Sequence, residues 1–543
     1  MKPLKRFFNL LRQDRKDLVY LYVYAIFNGL INLSLPIGIQ AIMGLVLAGR
    51  LSASWGILTL VVMAGVAVAG VFQLMQLYVV EILQRRLFAR AAFEFAYRIP
   101  KFRLKKLGNY YAPELVNRFF DTVTIQKSLS KILIDFFASS LQIIFGLILL
   151  SLYHPVFIAF GLFMIMVLIL IIYLTSKRGL ETSIAESNNK YEMAFWLTEL
   201  ARALPTFKLA GRTDLNLNKT DTIVNKYISS RKKHFKVLLN QYASIIGLKT
   251  IITAGLLIIG ALLLISNSIT IGQFVASEIV IILILGSSEK LIMSMDAIYD
   301  VLTAVEKLGK VTDVEIERDT QTGIVIKEKG ALQVEMQDVG ITGVSSNYLF
   351  NQKLSLVIKP GTTVCLSGPP GSGKSSLVKI LSSSLDNFTG TILYDDVPVQ
   401  NLNIQSLRNH IGCVFDDQDI FYGTFMENMT LGREDVTPEE VIKLAREVGL
   451  DTMIQSFEEG YDHVILNSER IFSGTDRVRL LLVRALVGQP RLVLTEDLFS
   501  GLRQDNREYL LNWLVEKCEN TTLVMVSNNH EIHAKCNEVI ELK

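Results

Sequence analysis

Residues 368–376 read GPPGSGKSS and fit the pattern GxxxxGK[ST] at every fixed position. The apolar run 363–367 before this stretch predicts a β-strand, and the apolar-periodic segment that begins near Ser375 predicts a helix. A strand, a glycine-rich turn and a helix in this order are the context in which the pattern holds phosphate. A ligand-free glycine-rich turn is the alternative, and the flanking elements argue against it.

In such a loop, backbone N–H groups turn inward around the phosphates, and the start of the helix adds a favourable dipole. Lys374 is expected to reach the β- and γ-phosphates, and Ser375 is expected to ligate Mg²⁺. The stretch therefore predicts ATP and Mg²⁺ as cofactors. The predicted nucleotide contacts of the loop are Gly368, Pro369, Pro370, Gly371, Ser372, Gly373, Lys374, Ser375 and Ser376.

The rest of the chain predicts a membrane protein. Its 543 residues exceed what one hydrophobic core supports, half of them are hydrophobic and the mean hydropathy is +0.36. The apolar excess lies before residue 310 and includes runs of about 20 residues, the length that crosses a bilayer. A net charge of +3 gives no reason to expect a nucleic-acid partner. Six spans are predicted, at 18–48, 55–80, 132–153, 155–175, 242–265 and 269–288.

Basic residues predict the orientation of these spans. Ten Lys or Arg fall in 84–130, twelve in 176–241 and six in the first seventeen residues. The three short loops that connect the spans on the other side contain Arg50 as their only basic residue. By the positive-inside bias, both termini and the two long loops face the cytoplasm. The long loops keep helical apolar spacing, so the helices are expected to continue well below the membrane.

After residue 310 the pattern changes to short β-branched segments. We divide the chain into a transmembrane domain at 1–310, a linker at 311–331 and a nucleotide-binding domain at 332–543. The predicted fold class is a membrane α-helical six-span domain plus a cytoplasmic α/β P-loop nucleotide-binding domain. The four cysteines show no close pairing in sequence and are expected to be reduced cytosolic thiols.

Four further segments carry a family resemblance. They are FYGTFMEN at 421–428, FSGTD at 472–476, the Arg-Ala and Pro of 484–490, and LVLTED at 492–497. In order and spacing they resemble the motifs of the ABC transporter superfamily, in particular half-transporter exporters with six membrane helices before one nucleotide-binding domain. Short stretches at 153–155 and 186–191 are weakly similar to type I secretion and peptide exporters.

The resemblance implies a dimer, of two copies or of two different half-transporters. Each ATP would lie between one P-loop, the Walker A motif, and the partner's signature, which implies Ser473 and Gly474 as further nucleotide contacts. The segments 114–121 and 204–211 would be coupling helices, and ordinary amphipathic stretches are an equal alternative. The location implied is a membrane, expected to be the bacterial inner membrane, with lipid as a partner and an unknown transported substrate.

Most catalytic positions outside the P-loop depart from the family. Asp416 stands where the Q-loop glutamine belongs, although Gln418 leaves room for a shifted alignment. The Walker B pair is inverted to Glu496-Asp497, so the carboxylate expected to polarise the attacking water is one methylene short. Asn528 replaces the histidine that contacts the γ-phosphate. The resemblance implies that the catalytic residues are Asp416, Glu496, Asp497 and Asn528.

The resemblance also implies the ligands of Mg²⁺, which would be Ser375, Asp416 and Glu496. A reach deficit of about 1 Å can cost on the order of 100-fold in rate, so slow hydrolysis is expected.

Other motifs depart as well. The signature carries Asp476 where glutamine is usual, which places a negative charge near the partner's phosphate unless the side chain points away. The D-loop ends in Arg503, and the adenine-stacking aromatic aligns with Gly343, which leaves Tyr348 as the stand-in. In the membrane, Glu278 lies roughly 13 Å below the outer end of its span and is a translocation-path candidate, against a structural hydrogen bond in the bundle.

Two functions compete on this evidence. The first is an ATP-driven exporter half with slow hydrolysis. The second is a non-catalytic partner or regulatory subunit that binds ATP without consuming it. The transported substrate cannot be read from the sequence.

Overall fold

The computed structural model describes residues 3–47, 53–103, 112–317, 323–326, 330–341, 353–466 and 472–542. Two compact units divide the chain. The first comprises Met1–Lys101 and Tyr110–Val314, and the second comprises Phe102–Asn109 and Glu315–Lys543.

The first unit is helical. Two short stretches of other helix type, a 3₁₀ turn at Arg118–Phe120 and a π-helical turn at Lys131–Phe136, flank the α-helix Asp121–Ser130. Its α-helices are α1 (Pro3–Arg12), α2 (Arg15–Asn32), α3 (Ser34–Leu47), α4 (Ala53–Arg98), α5 (Ala112–Asn117), α6 (Asp121–Ser130), α7 (Phe137–Tyr153), α8 (Val156–Arg202), α9 (Leu204–Leu209), α10 (Leu215–Ile265) and α11 (Ile271–Thr312).

Six helical stretches of the described chain are long and apolar enough to cross a membrane, which confirms the predicted count. They are Arg15–Val46, Ala53–Lys101, Leu115–Tyr153, Val156–Arg202, Leu215–Ile265 and Ile271–Thr312. Four of the α-helices have 42 to 51 residues. At 1.5 Å per residue they are about 60–75 Å long, more than twice the hydrocarbon thickness. The helices therefore continue beyond the membrane, as the spacing in the long loops predicts.

The first span is broken near its middle. Helix α2 ends at Asn32 and α3 begins at Ser34, with Leu33 between them. Pro36 has no N–H to offer the carbonyl of Asn32, four residues earlier, so the break falls where that hydrogen bond is lost.

Close helix packing joins three long helices of this unit. A Cβ built on Gly179 of α8 would lie 2.4 Å from the Tyr299 ring of α11. The ring is buried, and its hydroxyl accepts a hydrogen bond from Gln241 Nε2 at 2.8 Å. Ser183 and Thr303 share a hydroxyl hydrogen bond at 2.8 Å between the same two helices. Glycine and small polar residues thus let α8, α10 and α11 approach closely.

The second unit is an α/β domain with two larger sheets. The antiparallel sheet has the order β2-β1-β4-β5 and the parallel sheet the order β11-β3-β10-β9-β6, while β7 pairs with β8. Its strands are β1 (Val334–Ile341), β2 (Leu354–Ile358), β3 (Thr363–Ser367), β4 (Phe388–Tyr394), β5 (Val397–Pro398), β6 (Ile411–Val414), β7 (Gly423–Thr424), β8 (Val464–Ile465), β9 (Leu492–Thr495), β10 (Thr522–Val526) and β11 (Glu538–Glu541).

Helices cover both faces of the parallel sheet and give it two apolar cores. One core joins Leu377 and Leu381 to the sheet, and the other joins Leu480 and Leu510 to it. The helices are α12 (Lys374–Leu381), α13 (Ile404–Asn409), α14 (Phe425–Thr430), α15 (Pro438–Glu447), α16 (Asp451–Ile454), α17 (Gly474–Leu486), α18 (Gln504–Lys517) and α19 (His530–His533).

Strand β3 lies inside the parallel sheet and pairs with β10 and β11. The loop 368–373 leaves its carboxyl end, the edge where ligands bind in sheets of this type. The predicted strand at 363–367 and the helix after it are both present.

Candidate nucleotide-binding site

The glycines of the P-loop permit its backbone path. Gly368, Gly371 and Gly373 all have φ between +82° and +146°, a region that favours glycine. A Cβ on Gly368 would also lie 2.3 Å from the carbonyl oxygen of Leu542. Gly373 forms the N-terminal cap of α12, so the loop ends at a helix N-terminus with its free N–H groups. The local geometry is that of an anion cradle.

Lys374 is folded over this loop. Its Nζ donates to the carbonyl oxygens of Gly368 at 2.6 Å and Pro369 at 2.8 Å, and to Ser372 Oγ at 3.3 Å. Ser372 is buried and Ser375 is exposed, so the ammonium group and the Ser375 hydroxyl are available at the mouth of the loop. An ammonium at this position can exchange carbonyl partners for phosphate oxygens.

Asn528 joins the end of β10 to the loop. Its Oδ1 accepts hydrogen bonds from the Gly368 N–H at 3.1 Å and from Ser367 Oγ at 3.2 Å. The side chain is exposed at the carboxyl edge of the sheet. The structure thus places Asn528 beside the loop in which Lys374 lies.

Glu496 follows strand β9 and is buried at 8% exposure. Its Oε2 accepts a hydrogen bond from the Asp416 N–H at 3.2 Å, while its Oε1 is buried without a hydrogen-bond partner among the residues that the structure describes. A carboxylate oxygen in this state suits a cation. Glu496 could therefore hold Mg²⁺, with Asp416 next to it and the exposed Ser375 hydroxyl as a further ligand from the P-loop side. Mg²⁺ usually binds one or two carboxylates together with substrate phosphates and water.

Within the described residues, no three His, Cys, Asp or Glu side chains form a metal cluster by themselves. Mg²⁺ at this position would therefore depend on the nucleotide and Ser375 for the rest of its shell, and it would neutralise phosphate charge there.

Asp497 differs from its neighbour because its side chain is exposed at the edge of the sheet. Partial burial of the carboxyl group and, second, the negative charge of Asp416 raise the pKa of Asp497 above its ordinary value. The inverted pair thus has one inward carboxylate, Glu496, and one outward carboxylate, Asp497. Only the outward group can face a water molecule in the solvent.

The signature segment forms the start of α17. Ser473 is the N-cap, its Oγ accepts from the Asp476 N–H at 3.1 Å, and the hydroxyl lies 2.6 Å from Asp476 Oδ2, to which it donates. Arg479 pairs with the other carboxylate oxygen at 3.2 Å. Asp476 is therefore turned back onto its own helix, and its charge is offset by Arg479. Gly474 begins the helix.

Two arginines of α17 hold the segment that contains Asp416, namely Arg484 of the Arg-Ala motif and Arg477, which no motif of the sequence includes. Arg477 Nη2 donates to the carbonyl oxygen of Gln418 at 2.8 Å, and Arg484 Nη1 donates to that of Asp419 at 3.0 Å. Arg484 also donates to the carbonyl oxygen of Asn428 at 2.7 Å. These contacts brace the Q-loop position against the signature helix.

The remaining predicted contacts divide into two groups. Pro369, Pro370 and Ser376 belong to the loop and the first turn of α12. Tyr348 lies outside the described residues, as does Gly343.

Family models match both units. Residues 351–499 match the ABC transporter model, and residues 18–288 match the model of the ABC transporter transmembrane region. The chain belongs to the ABC transporter family. This ABC transporter chain is an integral, multi-pass membrane protein that carries the family's ATP-binding domain behind its membrane region.

Curated relatives of this ABC transporter are similar over part of its length. An ATP-dependent lipid A-core flippase of Legionella pneumophila (strain Paris) is 26% identical over 58% of this chain and 53% of its own length. The alpha-hemolysin translocation ATP-binding protein HlyB of Escherichia coli O157:H7 is 26% identical over 65% of this chain and 49% of its own. The chain spans about half the length of these curated relatives.

A solved structure extends the likeness of the fold. The structure of a bacterial Atm1-family ABC exporter with ATP bound superposes with a TM-score of 0.86 at 17% identity, covering 97% of this chain and 93% of that one. The six-span membrane region and the α/β domain thus have the exporter fold.

Charged residues of the membrane region have different surroundings. Lys249 pairs with Glu289 at 3.3 Å. Glu278 is half-buried and has no hydrogen-bond or ion-pair partner in the part of the chain that the structure describes. Short helices occupy the proposed coupling segments, at Ala112–Asn117 and Leu204–Leu209.

Proposed function

We propose that this chain is an exporter half-transporter that binds MgATP at residues 368–376 and moves a substrate across a membrane when two nucleotide-binding domains close on ATP. The observation that carries the proposal is the P-loop geometry, with Lys374 folded over an anion cradle in a chain that also has six candidate spans. The bacterial sources of the flippase and HlyB relatives favour a bacterial membrane, proposed to be the inner one. The basic residues of 84–130 and 176–241 favour a cytoplasmic ATP-binding domain.

Within this proposal, each residue has a distinct role. Lys374 neutralises phosphate charge, Ser375 and Glu496 hold Mg²⁺ with Asp416 near by, and Asp497 orients the attacking water. Asn528 holds the loop because its Oδ1 accepts the Gly368 N–H, and its amide NH₂ group can donate to a phosphate oxygen without adding charge. The second half, either another copy or a different half-transporter, supplies the signature that covers this ATP.

Hydrolysis is proposed to be slow. Asp497 is one methylene shorter than glutamate, and the loss of about 1 Å of reach can cost on the order of 100-fold in rate. The Ser473 hydroxyl donates to Asp476, so it is less available than a free serine hydroxyl to donate a hydrogen bond to the partner's ATP. Both features lower turnover without preventing ATP binding.

The same features favour a second candidate, a non-catalytic subunit in a heterodimer. There the chain would bind ATP to stabilise the complex, and the other half would supply the intact hydrolysing site. Asp497, Asn528 and the bound Ser473 are the observations in favour of this function.

Binding is tested with the full chain in detergent and a fluorescent ATP analogue. Lys374→Ala should abolish saturable binding, whereas Lys379→Ala, which removes a surface lysine of the same helix paired with Asp417 at 2.6 Å, should leave it intact. Equal binding by Lys374→Ala and the unaltered chain would overturn the proposed site.

Hydrolysis is then tested by phosphate release. Phosphate release above that of Asp497→Asn supports the exporter half, and a rise on the order of 100-fold for Asp497→Glu supports the reach argument. No release above that control, with intact ATP binding, supports the non-catalytic subunit.

A further inference from the structure

The first compact unit contains a cavity of about 560 Å³ that is lined by residues of α1, α4, α6 and α11. Its volume lies within the range of about 300–1,000 Å³ that is typical of small-molecule sites. All of its lining residues belong to this unit, and none of them belongs to the nucleotide-binding site. ATP therefore does not account for this cavity.

The position of the cavity along α4 places it outside the hydrocarbon layer. Helix α4 is continuous through this region, and the predicted span 55–80 ends before the lining residues Leu87 and Phe95. At 1.5 Å per residue these two residues lie roughly 10 and 22 Å beyond residue 80. The charged group of a ligand can stay close to water there, whereas a charge within the hydrocarbon is costly.

Part of the lining is apolar and well buried. Leu87 and Phe95 of α4 are each 5% exposed, and Val305 of α11 is 4% exposed. The apolar lining residues are Leu10, Leu87, Ala91, Phe95, Val305 and Leu308. A hydrocarbon chain in the cavity would be removed from water by these side chains, which is favourable.

Two polar groups of the lining lack partners. Thr122 is 0% exposed, and its hydroxyl has no hydrogen-bond partner among the residues that the structure describes. The same holds in this part of the chain for Nε of Arg6, whereas Nη2 of the same guanidinium group pairs with Asp313. Arg6 lies against the backbone of Gly309 on α11, where any side chain would collide with it. Buried polar groups usually have a hydrogen-bond partner, so these two point to a missing acceptor.

The other charged side chains of the lining are already paired. Arg90 pairs with Asp14 at 3.1 Å, and Glu94 pairs with Arg98. The groups left for a ligand are the Nε–H of Arg6, which can only donate, and the hydroxyl of α6. An acceptor oxygen satisfies both. Guanidinium groups form their strongest hydrogen bonds with carboxylate and phosphate oxygens.

We propose that this cavity binds a single-chain amphipathic anion of the fatty-acid class. Its carboxylate accepts hydrogen bonds from Arg6 and Thr122 and competes with Asp313 for the guanidinium group, while its hydrocarbon chain lies against the apolar lining. A diacyl phospholipid fits less well, because both of its chains would have to leave the hydrocarbon layer to reach Leu87. The site requires no ATP, so this inference does not rest on the proposed function.

Binding is tested by photolabelling the full chain in phosphatidylcholine nanodiscs with a dodecanoic acid that carries a terminal diazirine. We expect saturable labelling, mapped by mass spectrometry to peptides that contain 87–95 and 305–312. Excess unlabelled dodecanoate should remove this label, whereas dodecan-1-ol, which has the same chain without the charged head, should not. Labelling that dodecanoate does not remove, that dodecan-1-ol removes equally, or that falls only on the spans would overturn the proposal. Stronger displacement by phosphatidylglycerol than by dodecanoate would overturn the assignment to a single-chain anion.

Two variants with opposite expected effects test the contacts of the carboxylate. Thr122→Val keeps the shape of the side chain and removes the hydroxyl, so we expect several-fold more dodecanoate to be needed for half-displacement of the label. Asp313→Asn removes the competing carboxylate, so we expect several-fold less to be needed. If both variants weaken displacement equally, the effect is general damage to the fold and the assigned contacts are wrong.

A third variant fills the cavity. Leu10→Trp should abolish labelling at 87–95 and 305–312, whereas the matched control Leu4→Trp, at a 56% exposed position of the same helix outside the cavity, should leave it unchanged. Undiminished labelling of a folded Leu10→Trp variant would place the ligand elsewhere and refute the site. If this variant fails to fold, Thr122→Val and Asp313→Asn still decide the proposal.

Discussion

The side-chain oxygen of Asn528 lies 3.1 Å from the backbone nitrogen of Gly368 and accepts its hydrogen bond. Gly368 begins the P-loop, and Asn528 lies two residues after the end of β10, the strand next to β3. The residue that replaces the family's histidine therefore supports the loop as well as lying beside the site where phosphate is proposed to bind.

Asn528→Ala should weaken ATP binding. The loop loses a neutral hydrogen bond, worth about 1 kcal/mol, so we expect a Kd about five-fold higher. The measurement is a titration with a fluorescent ATP analogue. Asn520→Ala, an exposed asparagine before β10, serves as the control and should bind as the unaltered chain does. An unchanged Kd for Asn528→Ala would mean that other contacts alone set the loop geometry.

Local patterns account for what the sequence predicted well. The strand 363–367 and the helix after the loop follow from neighbouring residues, because the glycine pattern and apolar periodicity act over short range. The six spans follow from length and hydropathy in the same way.

Contacts between distant segments were not predictable in this manner. Asp476 could be seen as a misplaced charge, but its bond to Ser473 depends on the N-cap geometry of α17. The pairing of Lys249 with Glu289 requires the relative rotation of two long helices. A single sequence shows which residue types are present, but it does not show which of them the packing of the folded chain brings into contact.

The acid side of the pH–rate profile should depend on Asp416. Burial and the Asp416 charge raise the pKa of Asp497, and Asp497 can orient water only as a carboxylate. Hydrolysis should therefore fall as the pH drops through this raised pKa. Asp416→Asn removes one of its two causes, so the fall should move to lower pH.

Phosphate release over a pH series measures this shift. Asp417→Asn is the matched control, because Asp417 pairs with Lys379 at 2.6 Å and is not a cause of the Asp497 shift. Coincident acid limbs in Asp416→Asn and the unaltered chain would contradict electrostatic coupling between Asp416 and Asp497.

Asp476→Gln should favour ATP-driven dimer closure. The substitution removes a negative charge from the signature and releases the Ser473 hydroxyl, which donates to Asp476 at 2.6 Å. We expect a larger dimer fraction with ATP, measured by light scattering in detergent. Arg479→Ala breaks the ion pair at 3.2 Å but leaves the bond to Ser473, so it should not raise the dimer fraction. A rise in both variants would attribute the effect to Arg479.

Gly179→Ala should destabilise the membrane unit. The new methyl would lie 2.4 to 2.7 Å from two ring carbons and the hydroxyl oxygen of Tyr299. This side chain is buried and hydrogen-bonded to Gln241 and so cannot move aside. Overpacking of this kind costs about 1–3 kcal/mol. We expect a lower midpoint for the loss of monodisperse protein on heating, followed by size-exclusion chromatography.

Gly247→Ala is the matched control for this prediction. A Cβ there meets no atom within 4 Å, and replacing a helical glycine by alanine gains about 0.5–1 kcal/mol, so its midpoint should stay or rise. Tyr299→Leu in the Gly179→Ala background removes the colliding ring atoms. The double variant should therefore lose less thermal stability than the sum of the losses of the two single variants. Strict additivity of the two changes would show that the Gly179 effect arises elsewhere than at the Tyr299 ring.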